Sequence, residues 1–406
     1  MKPLLFPDNP QFWYETLRSM SHIAYGGADF GEVVSTCERI EEGGHDSWHD
    51  EWLATADRVA GQARQALDAG RTISARDGFL RASNYYRSAE FFLHGHPCDP
   101  RHDHAYDQSV ACFRTAAALY TPRIEPVAIP YEGTTLPGYL YRADTTGTPR
   151  PTLIMHSGFD GTSEELHFSG ALAALERGYT VLTFDGPGQP GPRHREGLVF
   201  RPDWENVVTP VVDFAESLPE VDNSRIALLG SSMGGLLAPR AAAFEHRLAA
   251  LIAVDGVYDL GALSVRHIPG DREEAERRLR ADSDPRLDAR FRQIIAQDAT
   301  ARWAINHGMY VMGVDTPRAF SASYLDYTLA DGIAEQIRCP TLVCDAADDE
   351  FFKGQPQQLY DHLTCPRTLM VFTADEGAGA HCHPGAMRRS LARVLDWLDG
   401  TLATAP

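Results

Sequence analysis

The sequence predicts an α/β fold in which helices cover a mostly parallel central sheet. From about residue 123 onward, strand-like and helix-like segments alternate, and a glycine-rich run at 230–234 separates one such strand from the next helix. Alternation of this kind is typical of a parallel sheet with helices on both faces. With 406 residues the chain is also too long for one small core, so we expect two structural units.

The composition argues against several classes of function. Hydrophobic residues make up 43% of the chain and charged residues 23%, as in ordinary globular proteins. A net charge of −19 leaves no basic surface, so we expect neither nucleic acid nor an anionic membrane as a partner. The N-terminus lacks the apolar core of a signal peptide, and no apolar run is long enough to span a membrane. The seven cysteines include no CxxC pair, which favours reduced thiols in a cytoplasmic protein.

Residues 1–122 predict an N-terminal helical domain. One helix is expected to start at a cap formed by Asp46 or Ser47, because short polar side chains satisfy the first free N–H groups. A second is expected to start at a capping box over 74–77, and it carries many aromatic side chains. A third helix ends at Pro122, which cannot continue a helix.

Residues 123–406 predict a catalytic domain. Two strands over 124–141 form a hairpin, and strands and helices then alternate, with one helix expected over 163–177. Residues 258–330 break this rhythm, since they are helical and rich in charge. They fall where a lid over the ends of the strands would lie. Alternation then resumes, and a final helix closes the sheet.

A serine in a strained turn is the first candidate functional residue. Residues 230–234 read Gly-x-Ser-x-Gly with Ser232 at the centre; an apolar strand precedes them and a helix follows. This is the context of the nucleophile elbow of an α/β-hydrolase, which lifts the serine hydroxyl out of the backbone. The pattern alone also occurs in glycine-rich turns with an inert serine. Strand, motif and helix together predict that Ser232 is a nucleophile.

The acid of a catalytic triad is expected after the strand that begins at residue 340. A serine needs a histidine base, the base needs an acid to orient it, and the chain order in this fold is serine, acid, histidine. The available acids are Asp345, Asp348, Asp349 and Glu350. Asp345 is expected to lie within the strand. The register of the turn favours Asp349, with Asp348 as the alternative.

The base is expected in the loop that follows one more strand. This loop contains His381 and His383, and small residues before His381 let it fold inward against the elbow. His383 precedes Pro384, so we expect it at the surface, at the start of the last helix. Cys382 lies between the two histidines, but nothing marks it as a nucleophile. Their spacing is too tight for a structural zinc site, and no metal is expected.

The oxyanion formed during acyl transfer needs hydrogen-bond donors that are already in place. We expect the N–H groups of Met233 and Phe159 to supply them, with Gly158 permitting close approach of the loop. Asp160 follows directly. If its carboxyl is buried, its pKa should rise, and it could then donate a proton. The alternative for Asp160 is a residue that only caps the loop.

The residues expected to contact substrate come from two places. His156 and Gly158 open the loop that carries the expected oxyanion donor. Tyr85 and Tyr86 lie on the aromatic helix of the N-terminal domain and could offer a hydroxyl to the substrate. The alternative is that this helix packs in the core.

Several motifs resemble those of the FrsA-like α/β-hydrolases, a group that includes a nicotine-pathway hydrolase and fungal polyketide-shortening hydrolases. The run 184–189, Phe-Asp-Gly-Pro-Gly-Gln, resembles the group's signature, and 379–382, Gly-Ala-His-Cys, is similar to its histidine loop. The helical segment around 83–90 is also similar. The resemblance implies a helical domain packed over the active site, a homodimer, no cofactor, and a triad of Ser232, Asp349 and His381. It also implies that Asp160 matches a functional glutamate.

The resemblance implies cleavage of a carbon–carbon bond next to a ketone. Our first hypothesis is a serine-triad hydrolase acting on a β-diketone-like or polyketide-derived small molecule. The second is an esterase, thioesterase or acyltransferase, including a macrocyclising one, that uses the same triad. The third is a catalytically silent scaffold with a hydrolase fold.

Overall fold

A single mixed sheet lies at the centre of the protein, for which a computed structural model describes residues 1–96, 98–266 and 268–403. Within these residues the sheet has eight strands: β1 (Glu125–Tyr131), β2 (Thr134–Tyr141), β3 (Arg150–His156), β4 (Thr180–Phe184), β5 (Val221–Ser231), β6 (Ala250–Val254), β7 (Thr341–Ala346) and β8 (Arg367–Phe372). Their order is β1-β2-β4-β3-β5-β6-β7-β8. The pairs β1–β2 and β2–β4 are antiparallel, and all other pairs are parallel. The predicted α/β-hydrolase fold is confirmed.

Helices precede the sheet, cover both its faces and form an insertion between β6 and β7. The N-terminal helices are α1 (Pro10–Ser21), α2 (Phe30–Cys37), α3 (His45–Asp68), α4 (Thr72–Glu90) and α5 (Pro100–Ala117). Those between strands are α6 (Ala171–Leu175), α7 (Pro190–Glu196), α8 (Glu205–Glu216) and α9 (Gly234–Ala242). The insertion, called the lid insertion below, contains α10 (Leu260–Val265), α11 (Arg272–Arg280), α12 (Pro285–Gln297), α13 (Ala299–Met312) and α14 (Pro317–Ser323). The last two helices are α15 (Gln355–His362) and α16 (Met387–Ala403).

Two hydrophobic cores lie on opposite faces of the sheet. One joins the N-terminal helices to the sheet and to α16, and it includes Trp48, Trp52, Leu153 and Leu395. The other packs α8, α9 and part of the lid insertion against the opposite face. Burial of this kind is the dominant favourable term in folding. The division into an N-terminal and a catalytic domain stays a prediction, because one continuous core crosses the proposed boundary.

The predicted helix starts in the N-terminal segment are wrong. Helix α3 follows Gly44 and has no side-chain cap, because the hydroxyl of Ser47 instead accepts a hydrogen bond from the N–H of Glu41 at 2.9 Å. Helix α4 begins at Thr72, so Ser74 lies inside it and cannot cap it. Helix boundaries therefore depend on contacts that a local pattern does not contain.

The helix predicted over 163–177 is also interrupted. Only a 3₁₀ turn at Glu165–His167 and the short helix α6 form there. Between them, Gly170 passes so close to β3 that a Cβ at this position would lie 2.5 Å from the Cε atom of Met155. The chain before α6 is free of regular helix and places buried polar side chains, Glu165 among them, toward the N-terminal helices.

The carboxyl ends of the parallel strands form the edge of the sheet where predicted site residues converge. Asp160 follows β3, Ser232 follows β5, Asp349 follows β7, and His381 follows β8. Ligands of open α/β sheets bind at this edge, because loops there leave a crevice. No helix within the described ranges is long and apolar enough to cross a bilayer.

Candidate active site

The turn that carries Ser232 joins β5 directly to α9. Ser232 has a φ of +60°, a left-handed conformation that is strained for a residue with a side chain. At Gly230 an added Cβ would collide with the carbonyl group of Gly234, and at Gly234 it would lie 2.8 Å from the carbonyl oxygen of Ser157. Only glycine fits at these two positions, because other backbone segments pass too close for a side chain.

The structure brings Ser232, His381 and Asp349 into one hydrogen-bonded line. The Nε2 atom of His381 lies 2.9 Å from Oγ of Ser232, and its Nδ1 atom lies 2.8 Å from Oδ2 of Asp349. The other oxygen of Asp349 accepts the N–H groups of Phe351 and Phe352 at 2.7 and 3.1 Å, which orients the carboxylate. Of the alternative acids, Asp345 lies in β7, whereas Asp348 and Glu350 are exposed.

A second carboxylate, Asp255, lies beside the same histidine and was not predicted from the sequence. Its Oδ2 atom is 3.0 Å from Nδ1 of His381, and it also accepts the N–H of Cys382. Asp255 follows β6, is fully buried and has a φ of +57°. Its signal in the sequence was only its position at the carboxyl end of a buried strand. Its partners lie in the loop after β8, so they come close only when the whole sheet has formed.

The electrostatics of the histidine follow from this acidic surrounding. Burial opposes a charge on His381, but the neighbouring carboxylates of Asp349 and Asp255 favour it, and the pKa lies well above its usual value. Burial likewise opposes ionisation of Asp255, yet His381 and His383 lower its pKa to about 2. The imidazolium form of His381 is therefore strongly stabilised.

The surface position expected for His383 is wrong. Its side chain is buried, its Nδ1 atom donates to the carbonyl of Ala378 at 3.0 Å, and its ring lies 4.1 Å from that of Phe372. His383 and Cys382 both have positive φ values, so the loop turns sharply back under the sheet edge. Burial raises the pKa of the Cys382 thiol to about 12, which agrees with the expectation that it is not a nucleophile.

The loop after β3, residues 157–160, lies against the serine turn. A Cβ at Gly158 would lie 2.6 Å from the nitrogen of Met233 and 3.0 Å from Cβ of Ser232, so the expected close approach is observed. Across the described part of the chain, the N–H groups of Met233 and Phe159 donate to no protein acceptor. Two free donors near Ser232 can therefore meet a ligand oxygen.

The carbonyl groups of this loop are held from below by the Phe-Asp-Gly-Pro-Gly-Gln segment. Nε2 of Gln189 donates to the carbonyls of Ser157 and Gly158 at 2.7 and 3.2 Å. His156 donates to the Ser157 carbonyl at 2.8 Å, and burial lowers its pKa to about 4, so its ring is neutral. His156 thus supports the loop, next to Phe184, and its predicted contact with substrate stays a prediction.

The lid insertion holds the next carbonyl of the same loop. Nε2 of His307, on α13, donates to the carbonyl of Phe159 at 3.0 Å. Burial lowers the pKa of His307 to about 3, so the ring is neutral and this nitrogen carries its proton. The ring stacks on His94 at 4.7 Å and on Trp303 at 5.5 Å. Sequence reasoning did not predict this residue, because its partner lies in a distant loop.

The raised pKa expected for Asp160 is wrong. Burial does favour its neutral form, but the charges of Arg18 and Arg87 outweigh burial and lower the pKa. Nη1 of Arg18 lies 3.3 and 3.4 Å from the two oxygens of Asp160, while a bidentate pair to Glu165 at 2.6 Å fixes the guanidinium. Asp160 is therefore a carboxylate at neutral pH and has no proton to donate.

Helix α1 lies over the loop that carries His381 and the loop after β3. The hydroxyl of Tyr14 donates to the carbonyl of His381 at 3.1 Å, and Arg18, one turn later, contacts Asp160. Aromatic rings form the adjoining walls: Phe351 and Phe352 lie 5.0 and 5.2 Å from the ring of His381. The lid insertion adds Phe320 and Tyr324, at 6.2 and 6.4 Å from Phe159.

The two tyrosines predicted to contact substrate lie elsewhere. The hydroxyl of Tyr85 donates to Glu32 at 2.8 Å, and that of Tyr86 donates to Asp57 at 2.5 Å. Both rings are buried among α2, α3 and α4, where Tyr85 packs on Trp52. Because their hydroxyls already have carboxylate partners, this packing favours the alternative that the aromatic helix belongs to the core.

Comparison with known proteins supports the fold and the class of protein. A model of the Alpha/beta hydrolase family matches residues 91–396. Hydrolase acrC of Aspergillus aculeatus is 36% identical over 414 residues, covering 96% of this chain and 96% of the relative. The 20-hydroxy-prefusarin hydrolase FUS2 of Gibberella moniliformis is 34% identical over 410 residues, covering 97% and 96%. Among solved structures, 2,6-dihydroxy-pseudo-oxynicotine hydrolase has a TM-score of 0.75 at 24% identity, covering 94% of this chain and 95% of that chain.

These matches extend over most of the chain, and the two fungal relatives align along nearly their whole length. The structural likeness bears on the fold alone, and it includes the N-terminal helices as well as the sheet. The resemblance inferred from the motifs is confirmed. This chain belongs to the alpha/beta hydrolase family and is a hydrolase.

Proposed function

We propose that this protein is a serine hydrolase that cleaves a carbon–carbon bond next to a ketone in a β-diketone-like or polyketide-derived small molecule. The observation that carries the proposal is the line from Ser232 through His381 to Asp349, with two free N–H groups beside it. A hydroxyl, a base and an orienting acid at these distances are what an acyl-enzyme mechanism needs.

In the first half-reaction, His381 takes the proton of Ser232 as Oγ attacks the ketone carbon. The N–H groups of Met233 and Phe159 hold the oxyanion. The carbon–carbon bond then breaks, and the imidazolium returns the proton to the leaving carbon, which leaves an acyl group on Ser232. In the second half-reaction, His381 activates a water molecule that hydrolyses the ester. Asp349 and Asp255 stabilise the imidazolium in both steps.

We propose that Asp160 binds substrate and does not donate a proton. Because its carboxyl is ionised, the proton for the leaving carbon comes from His381. We place Asp160 and Arg18 at a polar end of the pocket, where a carboxylate oxygen can accept a substrate hydroxyl and an N–H group can bind a substrate carbonyl. An enolised dicarbonyl presents both groups side by side.

The relatives support a small-molecule substrate from secondary metabolism. One of them is named for the hydrolysis of 20-hydroxy-prefusarin, and the structural neighbour is named for 2,6-dihydroxy-pseudo-oxynicotine. These substrates belong to those proteins. For this chain they motivate a panel of aryl and alkyl β-diketones as the first compounds to assay.

Replacement of the nucleophile tests the proposal directly. Ser232→Ala should lower turnover of a cleaved diketone by about 10³-fold or more, because no acyl-enzyme can form. A fluorophosphonate probe should label the native chain and fail to label the variant. Ser231→Ala is the matched control, since this neighbour lies at the end of β5, and it should keep both labelling and activity. Absence of labelling in the native chain would favour a catalytically silent scaffold.

A second candidate function is an esterase, thioesterase or acyltransferase. The enclosure of the site beneath α1 favours it, since acyl transfer to an alcohol or amine requires that water be kept out. Nitrophenyl esters and acyl thioesters, assayed with and without an added alcohol, separate the two. Formation of a new ester with unchanged substrate consumption would indicate transfer.

We also propose that the protein is a homodimer in a reducing compartment such as the cytoplasm. Dimerisation follows from the resemblance to the FrsA-like hydrolases. All seven cysteines are free thiols, which fits a reducing environment. Sedimentation velocity measures the assembly state.

A further inference from the structure

We propose that His102, Asp103 and His194 form a binding site for a divalent transition-metal ion. Oδ1 of Asp103 lies 3.5 Å from Nδ1 of His102 and 3.1 Å from Nε2 of His194, and one possible ligand atom of each residue lies within 4.8 Å of the other two. Ligands of a tetrahedral zinc ion, with bonds of about 2.0–2.1 Å, are about 3.3 Å apart. The two spacings to Asp103 therefore match those of ligands that share one ion.

A buried carboxylate orients one of the ligands from behind. Nε2 of His102 lies 3.1 Å from Oε2 of Glu90, which is 1% exposed and also lies 2.5 Å from Nε2 of His94. With the Nε2 proton donated to Glu90, the lone pair of Nδ1 faces Asp103 and His194. Metal-binding histidines are held in this way, since a carboxylate on the far nitrogen fixes the tautomer and raises the basicity of the ligand.

The three ligands differ in their exposure to solvent. The exposed fraction of the side chain is 6% for His102, 15% for His194 and 59% for Asp103. An ion can therefore reach the site from solution, and water can occupy the remaining coordination positions. The ring of His194 is also packed at 5.4 Å from that of Tyr106, which limits its freedom. The chain around the site is rich in soft donors, because residues 94–104 contain four histidines and one cysteine.

The site lies apart from Ser232 and connects two parts of the fold. His102 and Asp103 belong to α5, among the N-terminal helices, whereas His194 belongs to α7, which follows β4. Helix α7 begins directly after Gln189, the residue that holds the loop beside Ser232. A bound ion would join the two segments through coordinate bonds in addition to their packing.

Zinc titration of the tag-free, chelator-treated full chain tests the proposal. Calorimetry with zinc chloride should give one ion per chain, and Tm should rise with zinc concentration, by about 3 °C at a large excess over Kd. Magnesium chloride should have no effect, because imidazole ligands do not select it. Cobalt(II) substitution should give visible absorption bands from a nitrogen-containing site. No binding, or several weakly bound ions per chain, would overturn the proposal.

Two variants and a control locate the ion. His194→Asn and Glu90→Gln should each weaken zinc binding at least about tenfold, the first by removing a ligand and the second by removing its support. His104→Asn is the matched control, because this exposed histidine of α5 is not in the cluster, and its zinc affinity should stay unchanged. The apo Tm of His194→Asn checks that the variant folds. Native affinity in a folded His194→Asn would contradict the assignment.

Discussion

The Nδ1 atom of His381 lies beside two carboxylates, and their negative charges raise the pKa of the imidazole. Asp349 and Asp255 lie 2.8 and 3.0 Å from Nδ1; Asp349 also accepts two backbone N–H groups and Asp255 accepts one. Either carboxylate can hold the ring while the other balances its charge. The second carboxylate raises the pKa of the base further than a single acid would, so we expect activity to increase with pH toward the alkaline side.

The pH profile of a variant tests the role of Asp255. A base works only when deprotonated, so kcat/KM should rise as the pH passes through the pKa of His381, which lies well above its usual value. Asp255→Asn removes a negative charge next to the imidazolium and should therefore move this acidic limb to lower pH. Asp348→Asn is the matched control, since this exposed neighbour of Asp349 should leave the limb in place. An unmoved limb in Asp255→Asn would contradict the argument.

At the scale of elements, the loop after β3 is fixed by side chains from two other elements. Gln189 at the start of α7 holds the carbonyls of Ser157 and Gly158, and His307 of α13 holds the carbonyl of Phe159. The carbonyl of Gly158 and the N–H of Phe159 belong to one peptide plane, so Gln189 fixes the direction of this donor, and His307 fixes the plane that follows it. The lid insertion thereby holds the loop that carries the expected oxyanion donor.

Substitution of His307 should separate catalysis from binding. His307→Leu removes the hydrogen bond to the carbonyl of Phe159. It should lower kcat by about 10–100-fold, which is a smaller loss than removal of an oxyanion donor itself would cause, and it should change KM less. His307→Gln can still donate and should recover most of kcat. Asn306→Leu controls for docking of α13, because Asn306 donates to the carbonyl of Gly95 and not to the loop after β3. Equal losses in the Leu and Gln variants would mean that packing alone matters.

The sequence predicted elements and residues that depend on local chemistry. The alternation of apolar residues located the strands, and the Gly-x-Ser-x-Gly turn located Ser232, because both patterns have their physical cause within a few residues. Asp255, Gly170 and His307 could not be interpreted in this way. Each has its partner in another part of the chain, so its role exists only after the sheet order and the lid insertion are formed.

At the scale of the whole molecule, a buried group of charges joins the N-terminal helices to the catalytic part. Arg87 lies 3.2 Å from Glu15, and Arg18 pairs with Glu165. Burial raises the pKa of Glu15 to about 7, although Arg18 and Arg87 oppose that effect. The folded protein therefore binds a proton at Glu15 that the unfolded chain releases near pH 4.5.

Stability should fall with pH across this window. Because the folded pKa of Glu15 exceeds the unfolded one, its contribution is fully present below about pH 4.5 and is lost as the pH rises through about 7. Glu15→Gln mimics the protonated form, so its Tm should exceed the native Tm at pH 8 and match it at pH 5. Glu38→Gln, an exposed site on the same segment, is the control. A Tm difference that is independent of pH would reject the assignment.

The separation between strand ends and lid insertion has a practical consequence for chimeric enzymes. Every group of the proposed triad follows a strand, whereas Phe320 and Tyr324 of the insertion lie near Phe159. Grafting the corresponding segment of another family member onto this scaffold would exchange the contour of the pocket and preserve the chemistry, on one condition. The graft must supply a hydrogen-bond donor where His307 stands, or the hybrid will fold and capture its compound yet turn it over slowly.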